Sequence, residues 1–237
     1  MEKSPYKHLF FDLDGTLTRS RSPITQEMKD AIASLPQTII IISGQPRDSI
    51  EKQLGGARVD FILGQNGNGA FHGDKEIWQN ALSDDDRREI FDHIGYIENI
   101  RNWDVDDPND LIEDRESQVS YSFVGHHANI AMKESFDPNG VFRKKIIDEN
   151  PRPLRSTDVK IAGTTCIDYF KKGSSKGSNI ERLIEHEGWN KEDCLYFGDA
   201  LYKGGGDETV MGVIDVQQVD GPDHTLHLLK EHYSSRE

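Results

Sequence analysis

The stretch HLFFDLDGTLTRS, His8 to Ser20, decides how this chain is read. A short apolar run ends in two carboxylates two positions apart, Asp12 and Asp14, followed at once by Gly15 and Thr16. Two acids side by side repel each other when both are ionised, so a cation or a reaction must justify them. The run itself has the look of a buried parallel strand, and three others share it: TIIIIS (38–43), VDFILG (59–64) and CLYFG (194–198). Each is bounded by Gly, Asp or Ser and lacks the alternation of a half-exposed strand. Helical stretches lie between them. TQEMKDAIASL (25–35) sets Met28, Ile32 and Leu35 at helical spacing behind Thr25 as N-cap, with Glu27 and Asp30 in its first turns. RDSIEKQLG (47–55) and KGSNIERLIEHEG (176–188) both stop at glycine. Strand and helix alternate, which implies an α/β core built on a parallel sheet.

From about residue 82 to 160 that rhythm is lost and charge rises. LSDDDRREIFDHIGYI (82–97) reads as a capped amphipathic helix. DLIEDRESQVSYSFVG (110–125) reads as β, since Val119, Tyr121 and Phe123 alternate with Gln118, Ser120 and Ser122. DPNGVFRKKIIDENPRP (137–153) reads as a turn, a helix and a Pro-bounded loop, and DVKIAGTTCIDYF (158–170) as a return to strand. Residues 82–171 are therefore expected to form a separate α+β unit inserted into a core of 1–81 and 172–237. No internal repeat or low-complexity segment is visible, and the terminal SSRE (234–237) is expected to fray.

The 237 residues carry 42 acids against 28 bases, a net charge of −14. A field of that sign disfavours nucleic acid and anionic membranes, while local cations still permit a small phosphate ester. No window approaches a membrane span, and MEKSPYKHLF lacks the apolar region of a signal peptide. Two cysteines, Cys166 and Cys194, exclude a disulfide framework. A cytoplasmic enzyme is the expectation. The nine histidines show no metal-site spacing, and the adjacent pair His126–His127 reads as surface. Cys166 reads as a small buried residue rather than a nucleophile.

Ligands of open α/β sheets bind at the carboxyl ends of strands. Asp12 and Asp14, Ser43 with Gly44, and Asp199 stand at such ends, and Lys176 opens the helix after the insert. Carboxylates, a hydroxyl and a lysine form a set suited to Mg²⁺-assisted phosphoryl transfer, because Mg²⁺ takes oxygen ligands and lets Asp12 and Asp199 stay ionised together.

Taken in order, DLDGTLT (12–18), IIIISG (39–44), Lys176 and YFGDALYKGGGD (196–207) resemble the four motifs of the haloacid dehalogenase (HAD) superfamily. The last is similar to the long form found in phosphomannomutases. LGQNGNGAF (63–71), IEDRESQVSYSFVG (112–125) and GTTCIDYF (163–170) resemble further segments of that group, so the likeness spans nearly the whole chain. It implies a Rossmann-like core with an inserted cap domain of the subclass IIB type. It implies Asp12 as nucleophile and Asp14 as general acid/base. Mg²⁺ would sit on Asp12, the carbonyl of Asp14 and Asp199, with Asp207 as ligand or support. Ser43, Gly44 and Lys176 would hold the phosphoryl oxygens, and Arg115, His126, Lys133 and Asp168 would meet the substrate in the cap.

The departures bear on activity more than on fold. His126 and Lys133 stand where phosphomannomutases carry phosphate-gripping arginines, and neither copies arginine's planar fork. Ser175 and Gly206 replace an Asp and an Asn of the motifs. Hydrolysis of a small phosphate ester, of the sugar phosphate class, is therefore the favoured expectation. Phosphomannomutase activity is the alternative, and a non-catalytic binding or regulatory protein the third reading. A homodimer through the cap is expected from the same resemblance.

Overall fold

The structure is a computed structural model, and it describes residues 5–233; the SSRE tail lies outside them. The chain opens with β1 (His8–Phe11), α1 (Gln26–Ala33), β2 (Thr38–Ile42), α2 (Arg47–Leu54) and β3 (Phe61–Gly64). Thr25 caps α1 by accepting the Met28 N–H, and Gly55 ends α2 in the left-handed conformation. Two strands follow that the apolar runs did not announce, β4 (Gly69–His72) and β5 (Lys75–Gln79).

The insert supplies α3 (Asp84–Ile100), β6 (Ile112–Asp114), β7 (Gln118–Ser122), α4 (Ile130–Phe136), α5 (Val141–Glu149), β8 (Thr157–Ala162) and β9 (Cys166–Lys171). The chain then returns with α6 (Lys176–Glu187), β10 (Cys194–Gly198), β11 (Asp215–Gln218) and α7 (Pro222–Leu228). It divides into two compact units, one running to Gln79 and resuming at Ser175, the other Asn80–Ser174.

In the first unit seven strands are ordered β11-β10-β1-β2-β3-β4-β5. The five from β11 to β3 are parallel, while β4 and β5 join antiparallel. The expectation of a parallel sheet is thus met at its centre and extended at one edge by a meander. The continuous apolar runs have a physical reason: the sheet is buried on both faces. Leu9, Phe11, Ile39, Ile41, Leu195 and Phe197 pack with Met28 and Ile32 of α1 and Ile50 of α2. Their neighbours Phe10, Ile40, Ile42 and Tyr196 pack on the opposite face with Ile180, Leu183 and Ile184 of α6. Strand order reverses at β1, so β1, β2 and β10 are adjacent and their carboxyl ends share one edge.

In the second unit an antiparallel sheet, β6-β7-β9-β8, carries α3 and α5 on one face. Ser83 and Asp86 form a capping box at the start of α3, and Ile90, Ile94 and Ile97 pack on Val119, Tyr121, Ile167 and Tyr169. The stretch 158–170 is a hairpin rather than one strand, because the chain reverses at Gly163, whose φ is +48°. Likewise 110–125 folds back at Glu116, φ +62°. The alternation in β7 does not separate buried from exposed: Gln118, Ser120 and Ser122 are as buried as Val119 and Tyr121.

Candidate active site

Asp12, Ser43 and Asp199 follow β1, β2 and β10 directly, so the strand order alone gathers them. The turn after Asp12 is tight. Gly15 has φ +82°, and a Cβ there would stand 2.3 Å from Asp199 Oδ2, which only glycine avoids. Lys176 begins α6, and Ser175 caps that helix through a reciprocal pair of bonds with Ser178. Of the neighbouring lysines, it is Lys176 that lies buried here: Nζ donates to Asp12 Oδ1 at 2.5 Å and to Asp207 Oδ1 at 2.7 Å. Asp207 also accepts from the Tyr196 hydroxyl on Oδ1 at 2.7 Å and from the Ala200 N–H on Oδ2 at 3.3 Å. One carboxylate oxygen from each of Asp12, Asp199 and Asp207 lies within 4.8 Å of the other two.

Three carboxylates against the Lys176 ammonium leave two negative charges when all are ionised. Burial and the Asp207 and Asp199 charges push Asp12 above the usual carboxylate range, although Lys176 opposes them. Asp199 is raised for the same reasons, burial first and Asp207 next. Burial would lower Lys176, but Asp12 and Asp207 outweigh it and hold the ammonium firmly charged. Such a group suits a hard divalent cation: its donors are oxygens, and its excess charge equals that of Mg²⁺.

The carboxylate of Asp14 stands outside this group. Gln45 Nε2 donates to its Oδ2 at 2.7 Å, Gln53 Nε2 to its Oδ1 at 2.9 Å, and the Arg21 N–H to Oδ1 at 2.6 Å. Only its backbone carbonyl is left as the expected metal ligand. Gln53 also donates to Thr18 Oγ1 at 2.5 Å, tying the turn to α2. Ser43 is buried and accepts the Gln45 N–H at 3.2 Å, while Gly44 faces the Asn66 side chain. The reading of the sequence missed Gln45, Gln53 and Tyr196. The glutamines sit outside any motif. Tyr196 sits inside the fourth, where its apolar surroundings disguise its hydroxyl.

Of the four candidate substrate residues of the insert, Lys133 bonds to His126, while the charges of Arg115 and His126 act on Asp168. The Arg115 Nε donates to Glu113 Oε2 at 2.9 Å, and a second guanidinium nitrogen reaches the same oxygen. His126 is 6% exposed, which corrects its reading as a surface residue; His127 is the exposed member, bonded to Asp110. Burial lowers the pKa of His126 although Glu113 stands 3.7 Å away. Lys133 Nζ donates to the His126 carbonyl. Asp168 Oδ1 is buried with no hydrogen-bond partner, and desolvation raises that carboxyl. Cys166 Sγ lies 3.9 Å from His126 Nδ1, and burial pushes its thiol up, the opposite of what a thiolate nucleophile needs.

Among the described residues no helix is long and apolar enough to cross a membrane. The chain is similar to a Dictyostelium discoideum protein named phosphomannomutase 2, 27% identical over 94% of this chain and 95% of that one. A phosphomannomutase of Arabidopsis thaliana is 28% identical over 86% and 87% of the two chains. Among solved structures, SMU.1108c of Streptococcus mutans superposes with a TM-score of 0.68 at 14% identity, covering 95% of this chain and 98% of that one. The subclass IIB sugar phosphatase BT4131 gives 0.62 at 19% identity, covering 94% and 98%. These two likenesses speak for the fold alone. The family model of haloacid dehalogenase-like hydrolases matches residues 9–201, and with the strand-end acids and Lys176 in place the chain belongs to that family of enzymes.

Proposed function

We propose that the protein is an Mg²⁺-dependent phosphohydrolase acting on a small phosphate ester, of the sugar phosphate class, through an aspartyl-phosphate on Asp12. One observation carries this reading: Lys176 links Asp12 to Asp207 inside a three-carboxylate group, while Asp14 is held apart on its own donors. Asp12, Asp199 and Asp207 would hold the cation, which when bound offsets the negative charge of the transferring phosphoryl group. A carboxylate oxygen of Asp12 attacks phosphorus, forming an acyl-phosphate bond as the bond to the ester oxygen breaks. Asp14 gives its proton to that leaving oxygen, then takes one from the water that cleaves the acyl phosphate. Ser43 and Lys176 donate to the equatorial phosphoryl oxygens, where charge accumulates. The substrate is the partner this reading requires, and the net charge of −14 fits a cytoplasmic setting.

A second reading, phosphomannomutase, is favoured by the names of the curated relatives, which match over nearly the whole chain. Against it, Arg115 is paired with Glu113 and His126 is buried and shifted toward neutrality, so neither offers a free cation to a second phosphate. A phosphate-release screen over phosphorylated metabolites, run beside a coupled mannose-phosphate isomerisation assay with bisphosphate activator, separates the two. Release that needs Mg²⁺ and is lost in Asp12→Asn supports hydrolysis. Full activity of Asp12→Asn, or indifference to excess chelator, would sink the proposal. Robust isomerisation would favour the mutase.

A further inference from the structure

We infer that Tyr196 is a positioning residue: its hydroxyl fixes Asp207, and through Asp207 it sets Lys176 against Asp12. This inference rests on the function just proposed. Tyr196 is fully buried in β10, on the face of the sheet that α6 covers. Its neighbours there are Phe10, Ile40, Ile42 and Ile180, a setting where phenylalanine would pack as well and leave no polar atom to satisfy. Among the described residues the hydroxyl makes one hydrogen bond, at 2.7 Å to Asp207 Oδ1.

That oxygen also accepts from Lys176, so a neutral and a charged donor converge on it. With the Ala200 N–H on Oδ2, three donors hold the Asp207 carboxyl in place. The choice of donor matters for charge. A lysine or arginine in place of Tyr196 would anchor Asp207 but cancel one of the two excess negative charges that suit a divalent cation. A phenol anchors it and leaves the charge intact. The packing is built around this contact: a Cβ on Gly198 would stand 2.4 Å from Asp207 Oδ2 and 2.6 Å from Tyr196 Cε1. Without the hydroxyl, Asp207 is held on that oxygen by Lys176 alone. The two then draw together, and Lys176 Nζ leaves the midpoint from which it also reaches Asp12.

Tyr196→Phe removes one oxygen and keeps the ring. The expected result is a fall in kcat of about tenfold at saturating substrate and Mg²⁺ with KM little changed, as for a lost bond to a charged group. Mg²⁺ affinity, titrated calorimetrically without substrate, is expected to weaken by about tenfold, the lower end of the range for residues that orient metal ligands. In an Asp207→Ala background, which leaves no acceptor for the hydroxyl, Tyr196→Phe should change neither Mg²⁺ affinity nor turnover further, because the path runs through Asp207. A merely structural role predicts otherwise: a lower melting temperature with kcat per folded molecule and Mg²⁺ affinity unmoved. Either that outcome or effects that add fully in the double variant overturns the inference. Calorimetry needs no turnover, so a wild-type protein inert toward every ester fails the proposed function while this test still reads out.

Discussion

At the scale of single residues, the two acids of the DLD motif are separated by what holds them. Asp12 is bound to Lys176 within the carboxylate group, whereas Asp14 is bound to two glutamine amides and a backbone N–H. Their substitutions should therefore fail differently. Asp14→Asn is expected to lower turnover by about 100-fold or more, the worth of a general acid/base, with Mg²⁺ affinity within about twofold of wild type. Asp199→Asn should weaken Mg²⁺ by about 10- to 100-fold. Calorimetric titration of both variants decides, and the reverse pattern would show the roles to be exchanged. Gly15→Ala tests the same geometry from the backbone. A methyl at φ +82° would drive into Asp199 Oδ2, so loss of Mg²⁺ affinity should accompany a destabilisation of about 1 kcal/mol or more. Unchanged metal affinity in that variant would place the Asp199 carboxylate away from the cation. The placement of these acids was legible because strand ends and acids are written side by side in HLFFDLDG. Tyr196 was not, since one hydroxyl in a buried apolar strand leaves no periodic signal.

Among the elements, legibility followed periodicity. The buried strands β1, β2 and β10 and the capped helices α1, α3 and α6 were read from sequence to within a few residues. Their apolar runs, Thr25, Ser83 and the glycine stops act locally. The hairpin β8–β9 was read as one strand because its turn consists of Gly163 and two threonines, and threonine is itself a good strand former. That hairpin depends on a residue the sequence left unremarked. Arg143 of α5 is 1% exposed and spends one guanidinium nitrogen on the carbonyls of Ala162, Gly163 and Cys166, at 2.9 to 3.0 Å. Its Nε donates to Asp137 Oδ2 at 2.9 Å, so the pair is buried, ionised and fully bonded. Removing one partner of such a pair leaves a buried charge without compensation. Arg143→Met is expected to cost about 3–5 kcal/mol in denaturant unfolding. The double variant Arg143→Met with Asp137→Asn should recover part of that loss. A cost below about 1 kcal/mol would mean that the pair is solvated and carries little of the insert's stability.

For the whole molecule, the sheet's order is where sequence reading reached furthest and then stopped. Continuous apolar strands alternating with helices imply a parallel sheet. The edge strand β5 carries exposed Lys75 and Glu76, and at an edge such residues are favoured by protection against pairing rather than by burial. The burial pattern of the insert's sheet also escapes the sequence, because the polar residues of β7 are buried as deeply as the apolar ones. One consequence for the intact chain can be measured through pH. His93 of α3 lies in the insert's core, 2% exposed, with its Nδ1 at 2.9 Å from the Tyr169 hydroxyl. Burial lowers its pKa to about 4, and the charges of Asp92 and Glu89 only partly oppose this. In the unfolded chain the same imidazole takes its proton near its ordinary value of about 6.5. Between those values the unfolded state binds more protons than the folded one. The stability due to neutral His93 is therefore whole above about 6.5 and is lost as pH falls toward 4. From pH 7.5 to 5 this single group should remove about 2 kcal/mol. Other acids of the chain titrate in that range as well, so the comparison must be with His93→Gln, which cannot take up the proton. Urea unfolding of both proteins at the two pH values should show a loss about 2 kcal/mol smaller in the variant. Equal losses would mean that His93 is hydrated in solution, and that the insert's core opens to water without the rest of the molecule unfolding.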